Sequence, residues 1–200
     1  MGDAEASRPV RCFVAIDLSP EAREAVARAQ ADLRAAAARA DVRWADPAQF
    51  HLTLKFLGAV PEERAPTISS ALDAIAAAAA PIALAAGGLG AFPSLGSPRV
   101  LWVGITAGVP ETAAVAARVD QAMADLGFPP ETRPFRGHLT IGRVRSARGG
   151  RPLAAAVKRA GTPAFGSWTA AEVVLYESRL RPTGAVHVPV SRHRLRGRGA

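Results

Sequence analysis

The chain has 200 residues, 49% hydrophobic and 21% charged, which excludes a disordered polypeptide and fits one domain or two small lobes sharing a core. The formal net charge is +8, half of it from Arg192, Arg194, Arg196 and Arg198 near the C-terminus; this suits an anionic partner such as RNA, and equally a solvated basic tail. A single cysteine, Cys12, excludes an intrachain disulfide and any cysteine-based zinc site.

In chain order, MGDAEASRPVR lacks the long apolar core of a signal peptide. CFVAIDL (12–18) is an apolar run of strand formers. Ser19-Pro20-Glu21 reads as a helix start, with an N-cap, a proline in the first helical position and an acid in the first turn. Val26, Ala29 and Leu33 follow at helical spacing, so the helix is predicted to run to about residue 39. VRWADPAQF is predicted to be a connection, HLTLKFLG (51–58) a strand ending at Gly58, and 62–80 a second helix stopped by Pro81. Residues 74–92 are mostly Ala and Gly and are interrupted by Pro81 and Gly87-Gly88. A membrane span needs about 20 strongly apolar residues, so these are read as a helix end, a break and a strand. GGLGAFPSLG (87–96) lacks the Lys-Ser/Thr ending of a phosphate loop and is read as turns.

The order then begins again. RVLWVGI (99–105) is a strand; Pro110-Glu111-Thr112 opens a helix with Val115, Val119, Met123 and Leu126 on one face; FRGHLTIGRV (135–144) is a strand and 151–160 a short helix. AEVVLYESRL (171–180) and AVHVPV (185–190) close the chain as an antiparallel pair. The chain thus carries a weak internal repeat of strand, helix, strand with His-x-Thr, and helix. Two similar halves suggest two lobes related by an approximate two-fold axis, and no low-complexity linker separates them, so one compact bilobal unit is expected. Residues 1–190 would form the domain and 191–200 a flexible basic tail.

The two His-x-Thr strands carry the chemistry. Side chains alternate across a strand, so His51 and Thr53 share one face and Leu52 and Leu54 the other; His138 and Thr140 are set likewise against Leu139 and Ile141. The leucines and isoleucine account for packing, and the polar faces need another reason. Histidine, with an ordinary pKa near 6.5, serves as acid or base near neutrality. Two imidazoles flanking one phosphorus would support in-line phosphodiester cleavage without a metal, with threonine hydroxyls on the non-bridging oxygens. Arg143 falls on the apolar face of a regular strand; a bulge at Gly142 would turn it toward a phosphate. Lys55 shares the polar face and reads as a solvated lysine. His187 and His193 read as surface residues. Trp44, Phe13, Trp102 and Phe135 read as core, with one or two able to stack on a base. No Asp, Glu or Cys stands at ligand spacing beside the two histidines, so neither a metal nor another cofactor is expected.

On these motifs, and on FVAIDL, GLGAFPS, PRVLWVGI, RPFRGHLTIGRV and EVVLYESRL in that order over about residues 10–190, the chain resembles the 2H phosphoesterases. Within them it resembles the RNA 2′,3′-cyclic phosphodiesterases once called 2′-5′ RNA ligases. The resemblance implies an α+β, bilobal fold: two pseudo-symmetric lobes with antiparallel sheets lining a central cleft and helices on the outside. It also implies metal-independent hydrolysis of a terminal 2′,3′-cyclic phosphate on RNA to a 2′-phosphomonoester. It implies His51 as proton donor, His138 as proton acceptor, and Thr53, Thr140 and Arg143 as phosphate contacts. A cytoplasmic monomer acting on RNA ends, not on a membrane, is the corresponding expectation. Two other readings stand beside it: a 2H enzyme of small nucleotides, such as an ADP-ribose cyclic phosphate or a 2′-5′-linked oligonucleotide, and a non-catalytic module that binds RNA ends.

Overall fold

The computed structural model describes residues 9–181 and 184–197. Strand β1 (Val10–Asp17) leads into helix α1 (Pro20–Ala36), capped as expected: Ser19 Oγ accepts from the Ala22 amide at 3.2 Å. The segment expected to be a plain connection contains a short strand, β2 (Val42–Trp44), and a single 3-10 turn at Pro47–Gln49. Strand β3 (His51–Val60) and helix α2 (Ala65–Ala78) complete the first half.

The second half opens with a long hairpin, β4 (Ile82–Ser94) and β5 (Ser97–Ala107). The glycine-rich segment expected to form turns is therefore strand as far as Ser94, and only Leu95-Gly96 is the turn. Gly90 serves close approach: a Cβ there would lie 2.2 Å from the Trp102 ring that crosses it. Helix α3 (Val109–Asp125), strand β6 (His138–Val144), helix α4 (Gly150–Ala160) and strands β7 (Ala164–Ala170), β8 (Glu172–Arg181) and β9 (Gly184–Arg194) follow. Strand β6 begins at His138, three residues later than the sequence pattern indicates.

All nine strands join one sheet, ordered β7-β4-β5-β6-β3-β1-β8-β9, with β2 on β6. The two lobes are the two sides of this sheet. Their join is the antiparallel contact between β3 and β6 at Leu52↔Leu139, and β1 and β5 flank it symmetrically. One apolar core, including Val14, Ile16, Leu52, Leu139, Ile141 and the inward faces of all four helices, lies behind the sheet. Fully burying a leucine contributes about 1.5–3 kcal/mol, so the leucines at the join anchor the two motifs from behind.

The C-terminal stretch differs from the expected tail. Strand β9 continues past residue 190, pairing Ser191–Arg194 with β8, and Leu195 is buried. His193, expected at the surface, is 2% exposed. Its Nε2 meets Ser191 Oγ at 2.8 Å, and its Nδ1 meets Asp73 of α2 at 2.8 Å. The alternation of a strand lying against a helix turns this histidine inward. Arg198, the last of the four C-terminal arginines, lies outside the described residues.

Among the described residues, no helix is long and apolar enough to cross a membrane.

Candidate active site

The Leu52↔Leu139 pairing sets the geometry of the polar face. Continued one residue each way, this register sets His51 across from Thr140 and Thr53 across from His138. The four side chains form a rectangle with the histidines on one diagonal. On a regular antiparallel ladder such a diagonal spans about 7–8 Å, enough to flank a phosphate. Burial agrees: Leu52 and Leu139 are fully buried, while His51, Thr53, His138 and Thr140 are each half-buried.

Both imidazoles are tied down in the same way. His51 Nδ1 donates to the Gln49 carbonyl at 2.8 Å, and His138 Nδ1 to the Arg136 carbonyl at 2.7 Å. A carbonyl accepts only, so each ring carries its proton on Nδ1 when neutral and leaves Nε2 for a substrate. Each ring also meets a phenylalanine. Phe13 lies 4.7 Å from His51, and Phe92 lies edge-on to His138 at 5.0 Å.

The turn that supplies the Gln49 carbonyl is held by Arg23 of α1. Its guanidinium donates to the carbonyls of Pro47, Ala48 and Phe50 at 2.9, 3.1 and 2.9 Å. Asp17, paired with His51 across the β1–β3 ladder, accepts from Tyr176 Oη at 2.6 Å and from Arg192 at 3.1 Å. Burial pushes the His51 pKa down to about 4; His187 and Arg23 act in the same sense, and the Gln49 carbonyl and Asp17 oppose them. His51 is therefore neutral at neutral pH.

His187 is not the surface residue its sequence context suggests, because β9 carries it into the cleft. Its ring lies 5.0 Å from His51 and 4.8 Å from Phe13. The only sequence signal is its place in the apolar alternation AVHV. Lys55 is also displaced from expectation. It is 1% exposed, its ammonium bound to Asp120 of α3 at 2.5 Å and to the Pro129 carbonyl at 2.8 Å. After Leu54 the β3 alternation breaks, with Leu54 and Lys55 both buried, and the lysine turns behind the sheet.

Arg143 is redirected by a bulge. The β5–β6 ladder slips between Leu101↔Gly142 and Trp102↔Thr140, leaving Ile141 as the extra residue. Ile141 and Gly142 are both buried, and Arg143 emerges exposed on the side of His138 and Thr140. Gly142 must lack a side chain here, since a Cβ would sit 2.9 Å from Val42 Cγ1 of the adjoining β2.

Beside the rectangle lies a cavity of about 840 Å³ whose wall is drawn from β3, the 131–138 segment and α3. Thr53 and His138 stand in its wall with Arg99, Arg133, Arg136, Phe56, Phe92 and Phe135. Phe56 is 61% exposed, and Phe135, expected in the core, is only half-buried. Arg99, Arg133 and Arg136 make no ion pair among the described residues. Among those residues, no three His, Cys, Asp or Glu side chains converge as a metal site would require.

A family model described as LigT like phosphoesterase matches residues 16–102 and again 103–187, once for each half. The RNA 2′,3′-cyclic phosphodiesterase of Methanothermobacter thermautotrophicus is 34% identical over 93% of this chain and 99% of its own. That of Archaeoglobus fulgidus is 33% identical over 89% of this chain and 96% of its own. Among solved structures, the Thermus thermophilus protein TT0787 superposes with a TM-score of 0.79 at 28% identity, covering 94% of this chain and 100% of that one. Escherichia coli LigT complexed with 3′-AMP gives 0.74 at 27% identity, covering 94% and 98%. With one His-x-Thr strand in each matched half, and both strands meeting at the centre of a single sheet, this chain belongs to the LigT-like family of 2H phosphoesterases.

Proposed function

We propose that the protein hydrolyses the terminal 2′,3′-cyclic phosphate of RNA to a 2′-phosphomonoester and a free 3′ hydroxyl, without a metal. The observation that carries this reading is the Leu52↔Leu139 pairing, from whose register the rectangle of His51, Thr53, His138 and Thr140 follows, with both Nδ1 atoms engaged and both Nε2 atoms left for the substrate.

In this reaction His138 Nε2 accepts a proton from water as the water oxygen bonds to phosphorus. The P–O3′ bond breaks, and His51 Nε2 gives a proton to the departing O3′. Thr53 and Thr140 donate to the non-bridging oxygens, and Arg143 balances their charge. Each acid–base contribution is worth about 10²–10⁴-fold. A neutral His51 must first gain its proton, and the anionic substrate supplies the means: a negative charge beside a buried imidazole favours the imidazolium. The low proton affinity of His51 also favours a second reading in which the roles are exchanged, His51 serving as base.

The cavity supports an RNA end over a small phosphate ester. Aromatic rings, Phe56 exposed and Phe92 and Phe135 half-buried, beside unpaired arginines are what unstacked bases and a phosphate backbone require, and they line the same cavity as Thr53 and His138. The names of the relatives point to the same substrate.

The test is incubation with an oligoribonucleotide ending in a 2′,3′-cyclic phosphate, with the product isomer read by phosphorus NMR. A 2′-phosphate is expected. A 3′-phosphate would overturn the assignment of the leaving oxygen, and no turnover would favour a binding module.

A further inference from the structure

The cleft holds a third imidazole, His187, with no part in the reaction above. His187, His51 and Phe13 form a closed triangle of rings. His51 meets Phe13 at 4.7 Å with planes 33° apart, and His187 meets both edge-on, at 66° to His51 and 73° to Phe13. The same residue supports the partner of His51: the His187 amide donates to Gln49 Oε1 at 2.6 Å, and the Gln49 carbonyl accepts from His51 Nδ1. Ring and backbone of one residue thus act on one imidazole from two directions.

His187 Nδ1 is buried without a hydrogen-bond partner. Leaving a buried polar atom unpaired is destabilising, and a phenylalanine would fill the same space without that penalty. Across the pseudo-two-fold, the aromatic neighbour of His138 is Phe92, a ring with no polar atom. Packing alone therefore does not account for an imidazole at 187.

We propose that His187 is a positioning residue for His51: its ring, packed edge-on, fixes the plane of the His51 ring so that Nε2 faces the phosphate. The proposal rests on the reading that His51 exchanges a proton with the substrate. The charged and titratable groups around His51 are Asp17 at the end of β1, Arg23 of α1 through the Pro47–Gln49 turn, Tyr176 of β8 with its ring at 6.4 Å, and His187 of β9. Asp17 is already engaged by Tyr176 and Arg192, and Arg23 by three carbonyls, which leaves His187 as the neighbour in direct ring contact whose protonation state is free to vary. The two imidazoles should then titrate as a pair.

The experiment compares the full-length protein with His187→Ala and His187→Phe. Nitrogen-15 NMR of the His51 ring is recorded without substrate, and kcat and KM are measured against pH on the cyclic-phosphate RNA. In His187→Ala water enters beside the ring, and the His51 pKa should rise toward 6.5. The same variant should lose about 10- to 100-fold in kcat, as expected for a misplaced reacting group, with KM within threefold. His187→Phe, which refills the space, should keep the His51 pKa low and recover most of kcat at neutral pH, while His51 titrates alone. An unchanged His51 pKa in His187→Ala overturns the proposal, whether kcat holds or falls. Should the wild type fail to cleave the RNA, the NMR arm still decides the positioning role, and that failure counts against the reaction alone.

Discussion

Leu52 of β3 and Leu139 of β6 face each other at the point where the two halves of the sheet join, and both are fully buried. The polar rectangle is arranged by what these two leucines do on the opposite face. His51 and His138 project away from the core, so replacing either leaves the packing behind the sheet intact.

His51→Ala and His138→Ala should each lower cleavage of a cyclic-phosphate RNA by about 10²–10⁴-fold while circular dichroism and thermal midpoint stay close to wild type. Quenched-flow or gel kinetics will measure the loss. Residual activity within tenfold of wild type in either variant would remove that imidazole from the reaction.

Acidification should act on stability through His51. In the unfolded chain this histidine holds a proton below about pH 6.5, whereas in the folded protein it does so only below about pH 4 because burial disfavours the charge. Between these values the unfolded state binds more protons, so stability rises with pH across the window and is lost on acidification through it. Urea unfolding at pH 4.5 and pH 7 should show a larger difference for wild type than for His51→Gln, whose side chain does not titrate.

Lys55 and Asp120 form an unequal pair, the lysine 1% exposed and the aspartate side chain 27% exposed. Asp120 also accepts the Glu131 amide at 3.0 Å, so the pair ties α3 to the segment carrying Arg133, Phe135 and Arg136. Removing one partner of a buried pair costs about 3–5 kcal/mol when the other charge is stranded. Asp120→Ala strands the buried lysine and should approach that cost. Lys55→Met leaves an aspartate that still reaches water and should cost less. Denaturant titration of the two variants checks the order.

Removing residues from 191 onward should destabilise the protein rather than trim a free tail. The deletion takes away the Ser191–Arg194 pairing with β8, the buried Leu195 and the hydrogen bonds of His193 to Ser191 and Asp73. A lowered thermal midpoint is the expected result.

Chelation should leave turnover unchanged, since the proposed reaction assigns both proton transfers to imidazoles. Loss of activity in excess EDTA, restored by a divalent ion, would count against it.

His51, Thr53, His138 and Thr140 were legible in the sequence because a strand alternates faces, and a polar pair interleaved with leucines declares which side is not the core. The repeat announced two halves, and Ser19-Pro20 announced the first helix, because capping and periodicity are local properties of the backbone. The inward turn of His187 and His193, the burial of Lys55 and the bulge that brings out Arg143 are of another kind. Each depends on which element packs against the residue: β9 beside the cleft and against α2, α3 behind β3, β2 against Gly142. A single strand carries no record of its distant neighbours. Sequence alone therefore determined which side chains share a face, whereas tertiary structure decided where each face looks and what stands opposite it, because contacts between remote segments outweigh the weak local preference of a single polar residue.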